Sequence, residues 1–132
     1  MPAINLAALR NFIPAGELAV IRSCVAGEEG AYFRAKLIEF SERVQTMPKI
    51  YEQHGLGTAA VAHLRYFRGD SAWYVIERDT SNEQLQAFGM AALGGYEPEL
   101  GYINLAELIA AGVELDLHFS PTRLDALEAL AA

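Results

Sequence analysis

Between residues 33 and 47 the large apolar side chains step by 4, 3, 4 and 3: Phe33, Leu37, Phe40, Val44 and Met47. That step lays five side chains along one stripe of a helix. Pro48 ends the helix, because the residue before a proline avoids the helical region. Such a stripe must be buried against another element. The spacing predicts a helix over residues 28–46, with Glu28 and Glu29 at the positive end of its dipole. Glu39 and Arg43 form a favourable i,i+4 pair on it. A second helix is expected upstream. Pro14 suits a first helical turn, Leu18, Ile21 and Val25 keep helical spacing, and Gly27 suits its end.

Past residue 58 the period changes from helical to alternating. Residues 60–67 and 72–79 read as two strands joined by a tight hairpin turn at Gly69-Asp70. The connector at 48–58 reads as a turn. Residues 86–93 form a third strand, broken by Gly94-Gly95. Residues 100–103 form a fourth. Asn104 caps a short helix, with Glu107 three residues on and Gly112 closing it. Val113, Leu115, Leu117 and Phe119 alternate with Glu114, Asp116 and His118, which predicts a strand with one wet face. Ser120-Pro121 opens a final helix carrying Leu124, Leu127 and Leu130. The fold class is α+β: N-terminal helices on a mostly antiparallel four- to five-stranded sheet, with a short inserted helix and a C-terminal helix.

The 132 residues suit a single domain over 1–132, with 1–30 as a helical extension. No segment approaches the roughly 18 uncharged apolar residues of a membrane span. No basic start followed by an apolar run marks a secretory signal. The single cysteine, Cys24, excludes an internal disulfide and reads as a small hydrophobe. A cytoplasmic location is expected. The net charge of −7 is uneven. Residues 1–54 hold six basic and six acidic side chains, whereas 55–132 hold four basic and eleven acidic. That argues against direct nucleic-acid binding, which needs clustered Lys and Arg. It favours a protein partner of basic character.

Several residues are candidates for chemistry. Along an unbroken strand Trp73, Val75, Glu77 and Asp79 share one face, with Arg78 on the other. The two carboxylates then lie about 6.5–7 Å apart, as any i,i+2 pair on a strand does. Asp79 precedes Thr80-Ser81-Asn82 and is expected to bond the turn backbone. Glu77, beside Trp73 and Val75, has no such structural reason. Tyr102 and Trp73 suit the walls of a cleft, and Glu99 stands near them in sequence pattern. Gly101 suits a bulge or a close backbone approach. Asp116 and His118 share a wet strand face. No compact metal-ligand, nucleotide or nucleophile motif is present, so no metal, cofactor or catalytic residue is assigned. The candidate binding residues are Trp73, Glu77, Asp79, Glu99, Tyr102, Asp116 and His118.

An ordered set of short motifs carries a resemblance. These are Met47-Pro48 with Tyr51-Glu52-Gln53, His63-Leu64-x-Tyr66-Phe67, Trp73-Tyr74-x-x-Glu77-x-Asp79 and Gln86-Ala87-Phe88-Gly89. Glu99-Leu100-Gly101-Tyr102-Ile103 and Glu114-Leu115-Asp116-Leu117-x-Phe119-x-Pro121 complete them. From about Tyr32 to Leu127 the chain resembles the bacterial domain of unknown function twenty-nine fifty-eight. The resemblance implies a setting on plasmids and integrative elements, beside antirestriction-type and conjugation genes. It carries no catalytic residue. The leading expectation is a cytoplasmic accessory module acting through a protein partner without catalysis. The alternatives are an antirestriction-type DNA mimic, and a ligand-binding protein or hydrolase with an acidic pocket near Trp73, Glu77, Glu99 and Tyr102.

Overall fold

The computed structural model describes residues 3–127. The chain opens with three helices. α1, Leu6–Leu9, is capped by Asn5, whose side chain accepts from the Ala8 N–H at 3.0 Å. α2, Ala15–Val25, starts directly after Pro14, and α3, Gly30–Thr46, runs to the turn before Pro48. The α3 stripe is interior. Leu37, Phe40, Val44 and Met47 are all at most 4% exposed. Each such burial stabilises by roughly 1.5–3 kcal/mol. Glu39 and Arg43 pair across one helical turn at 2.5 Å. Arg78, from beyond the connector, donates to the Val44 carbonyl at 2.8 Å and so satisfies the C-terminal end of α3.

The sheet follows. The strand expected over 60–67 divides at His63 into β1, Val61–Ala62, and β2, Leu64–Arg68. The Gly69-Asp70 hairpin leads from β2 into β3, Ser71–Glu77, with Gly69 at φ +58. β4 is Ala87–Ala92 and β5 is Glu99–Ile103. Asn104 caps α4, Leu105–Ala110, by accepting from the Glu107 N–H at 3.0 Å. β6, Glu114–Leu115, completes a five-stranded antiparallel sheet in the order β5-β4-β3-β2-β6. β7, Thr122–Arg123, pairs with β1 in a separate two-stranded sheet. The α+β class is as expected. α1 to α3 cover one face, over Leu64, Tyr66, Val75, Ala87 and Ile103. The other face carries Ala72, Tyr74, Ile76 and Met90, under Ala60, Ala62, Leu124 and Leu127.

Two expectations near the C-terminus change. The strand through Phe119 stops at Leu115, because Asp116 turns the chain. Its Oδ1 accepts from the His118 N–H at 2.9 Å and its Oδ2 pairs with Arg65 at 3.1 Å. Asp116 and His118 therefore do not share a strand face. Ser120-Pro121 leads into β7 and a single 3₁₀ turn, Leu124–Ala126, instead of an α-helix. The Leu124 N–H is taken by the Ala60 carbonyl at 2.9 Å, which fixes this segment to the start of β1. Leu130 lies outside the described residues.

Candidate functional site

The centre of the candidate site is a fault in strand pairing. β3 and β4 pair in regular register from Ala72↔Ala92 to Val75↔Gly89, and the next pair is Glu77↔Phe88. Ile76 is the extra residue of a β-bulge. Residues directly opposite in an antiparallel pair share a face. Trp73, Ala91 and Glu99 therefore stand in one row across three strands. Glu77, Phe88 and Tyr102 stand in another row. The bulge turns Glu77 off the face that carries Trp73 and Val75, onto the face of Ile76. The face-sharing expected for Trp73, Val75, Glu77 and Asp79 is thereby corrected. The residues expected around one pocket, Trp73, Glu77, Glu99 and Tyr102, line three adjoining hollows that share Tyr102. Trp73 is half-buried against the helical core, and Glu99 is exposed over a shallow hollow with Gly89 and Gly101.

Glu77 and Tyr102 do meet, in a cleft of about 510 Å³. Its floor and walls are Ile76, Glu77, Phe88, Leu100 and Tyr102 from the sheet, with Ile50, Tyr51, Gln53 and His54 from the connector. The connector is thus more than a turn. Ile50 N–H donates to the Arg78 carbonyl at 2.8 Å, and Arg78 N–H to the Pro48 carbonyl at 2.9 Å. The Gln53 side chain behaves like a missing strand residue. It accepts from the Val61 N–H at 2.8 Å and donates to the carbonyls of Val61 at 3.0 Å and Ile76 at 2.9 Å.

The Glu77 side chain is 3% exposed, and its Oε2 accepts from the Gln53 N–H at 2.5 Å. Among the described residues no donor faces Oε1, and no fully enclosed side-chain oxygen lacks a partner, so Oε1 borders the open cleft. No Lys, Arg or His among them lies within ion-pair distance of this carboxylate. At the mouth, the Tyr51 and Tyr102 hydroxyls are 3.0 Å apart, and the Phe88 and Tyr102 rings lie 5.6 Å apart. The bond to Tyr51 raises the Tyr102 pKa above its ordinary value, with a smaller push from the Glu77 charge. Tyr51 adopts φ +72, a left-handed conformation that a bulky residue takes only where its surroundings impose it.

Asp79, Asp116 and His118 do not line the cleft. Asp79 bonds its turn, as expected, accepting from Ser81 N–H at 3.3 Å and Gln86 N–H at 3.1 Å. Asp116 is held by Arg65, and the exposed His118 has its Nδ1 3.4 Å from the Tyr32 hydroxyl. Among the described residues no three His, Cys, Asp or Glu side chains are placed to hold a metal ion. Sequence reasoning missed Tyr51, Gln53, His54, Phe88 and Leu100 as cleft residues. The signal was there in part: Tyr51-Glu52-Gln53, Phe88 and Leu100 belong to the motifs that carry the resemblance, and His54 does not. Among the described residues no helix is long and apolar enough to cross a membrane.

No curated protein and no solved structure matches the chain. Residues 33–127 match the family described as protein of unknown function DUF2958. That span takes in all of the sheet and every residue of the cleft, and the chain belongs to this family.

Proposed function

We propose that the chain is a non-catalytic binding module, an accessory protein of bacterial plasmids and integrative elements that works in the cytoplasm through a basic protein partner. The observation that carries this reading is the open edge of β5 beside the cleft. β5 pairs with β4 on one side, and no described strand covers its other side. An extended peptide adds to such an edge by main-chain hydrogen bonds, and its alternate side chains drop into adjoining pockets. β5 carries no lysine or proline of the kind that protects an exposed edge. Tyr51, Leu100 and Tyr102 are large, exposed and grouped around the cleft, as at interaction surfaces. Glu97 and Glu99 lie at the start of the edge and favour a basic partner.

The DNA-mimic alternative needs carboxylates in a phosphate-like row. Of the acids in the second half, Glu77 and Asp79 are buried, and Asp116 and Asp125 are paired with arginines. Asp70, Glu83, Glu97, Glu99, Glu107 and Glu114 are spread over separate turns, strands and α4, which weighs against mimicry. Selection from a random-peptide display library tests the proposal, with the winners mapped by backbone amide shifts. Extended basic peptides that shift residues 99–103 and 50–55 are expected. Failure to enrich any peptide, or shifts confined to other surfaces, would overturn it.

A further inference from the structure

We propose that the cleft is a receptor for an alkylammonium group, the side chain of a lysine from the partner. This deepens the peptide-binding reading and rests on it for the source of the lysine. A buried carboxylate without a counter-charge is costly, and such groups are ordinarily paired. Glu77 is 3% exposed and has no cation beside it among the described residues. Its fold-building task, accepting from the Gln53 N–H, requires only a neutral acceptor. The charge is therefore surplus to the fold and available to a ligand.

The walls define what that ligand is. Ile50, Ile76 and Leu100 are apolar and suit a run of methylenes. Phe88 and Tyr102 present aromatic rings beside the acid, and aromatic faces attract cations. Glu77 offers one oxygen, since the other is held by Gln53. A guanidinium fork is matched to both oxygens of a carboxylate, whereas an ammonium needs one. A single free oxygen therefore favours lysine over arginine.

The test is an amide-shift titration with three capped amino acids: Nα-acetyl-lysine methylamide, its arginine counterpart and its norleucine counterpart. The lysine compound is expected to shift Gln53, His54 and Gly101 and to bind about tenfold more tightly than norleucine. The arginine compound is expected to fall between them. Glu77→Gln keeps an acceptor for Gln53, so it is expected to fold and to lose the preference for lysine over norleucine. Tyr102→Ala alters an exposed side chain and is expected to weaken the lysine compound more than norleucine. Equal binding of lysine and norleucine, or a preference that survives Glu77→Gln, would overturn the inference. Display-selected peptides without lysine that still shift residues 99–103 would sink the lysine site and leave the peptide reading intact. A lysine compound that fills the cleft while no peptide binds would do the reverse.

Discussion

Gln84 sits in the loop after β3 at φ +56, fully buried, a conformation that favours glycine. Its side chain explains why it stays. Oε1 accepts from the Asp79 N–H at 2.8 Å and Nε2 donates to the Ser81 carbonyl at 2.9 Å, while its own carbonyl receives the Leu105 N–H at 3.0 Å. Gln84→Gly would relieve the backbone and yet strand a buried N–H. Leaving such a group unmet costs about 1–3 kcal/mol. The variant is expected to be less stable by roughly that amount, because the relieved strain is offset by the freedom glycine adds to the unfolded chain. Urea unfolding measures it, and a variant at least as stable as the parent would refute the account. The two ends of this loop differ in how readable they are. Asp79 declares its role, because an aspartate ahead of Thr-Ser-Asn bonds the turn it begins. Gln84 does not, since no residue-type rule places a glutamine amide on a backbone five positions earlier.

At the level of strands, the bulge at Ile76 decides what can be read. Alternation is a parity rule, and one inserted residue reverses every assignment beyond it. The sheet was legible because its long strands alternate up to Val75. The cleft was not, because parity puts Glu77 with Trp73 and the bulge puts it with Phe88 and Tyr102. The glycines opposite each other at this point, Gly89 on β4 and Gly101 on β5, make a sharp comparison. A Cβ on Gly89 would stand 1.9 Å from the Tyr74 carbonyl oxygen, whereas one on Gly101 would meet nothing within 4 Å. Gly101 therefore serves no close approach within the fold, and the β4–β5 register runs through it without a bulge. Gly89→Ala is expected to cost roughly 3 kcal/mol, since backbone must move. Gly101→Ala is expected to be neutral or to stabilise by about 0.5 kcal/mol, as alanine replaces glycine in a strand. Thermal melts of the two variants give the comparison, and similar losses in both would show that the bulge is not tightly packed.

Across the whole molecule, the family match begins at residue 33, yet the helices before it belong to the core. Leu9, Phe12, Ile13, Leu18 and Ile21 are at most 5% exposed, and the buried Tyr66 hydroxyl donates to the Phe12 carbonyl at 2.5 Å. Removing residues 1–29 would uncover that face of the sheet. The truncated chain is expected to lose cooperative unfolding, and a sharp transition in it would show that the first helices are a dispensable extension. Glu17 ties the same helices to the far edge of the sheet: its Oε1 accepts from the Leu115 N–H at 2.8 Å. Burial raises its pKa from 4.5 to about 7, the Leu115 bond opposes the rise, and the Glu114 and Asp116 charges add to it. The sign follows from linkage. A carboxyl whose folded pKa is raised binds its proton more tightly folded than unfolded. Its contribution is greatest below about pH 4.5 and is lost as the pH climbs to about 7. His63 acts the other way. Burial and Arg43 lower its pKa, so protonation opposes folding as the pH falls below 6.5. The parent curve mixes both effects, and the difference between parent and Glu17→Gln isolates the first. Glutamine keeps an acceptor for Leu115 and has no charge to bury. The variant is expected to melt at a similar temperature at pH 4.5 and a few degrees higher at pH 8, an amount moderated by the solvent that still reaches residue 17. A difference that stays constant from pH 4.5 to 8 would show that Glu17 titrates as an ordinary surface acid, and that α2 is held to β6 by packing alone.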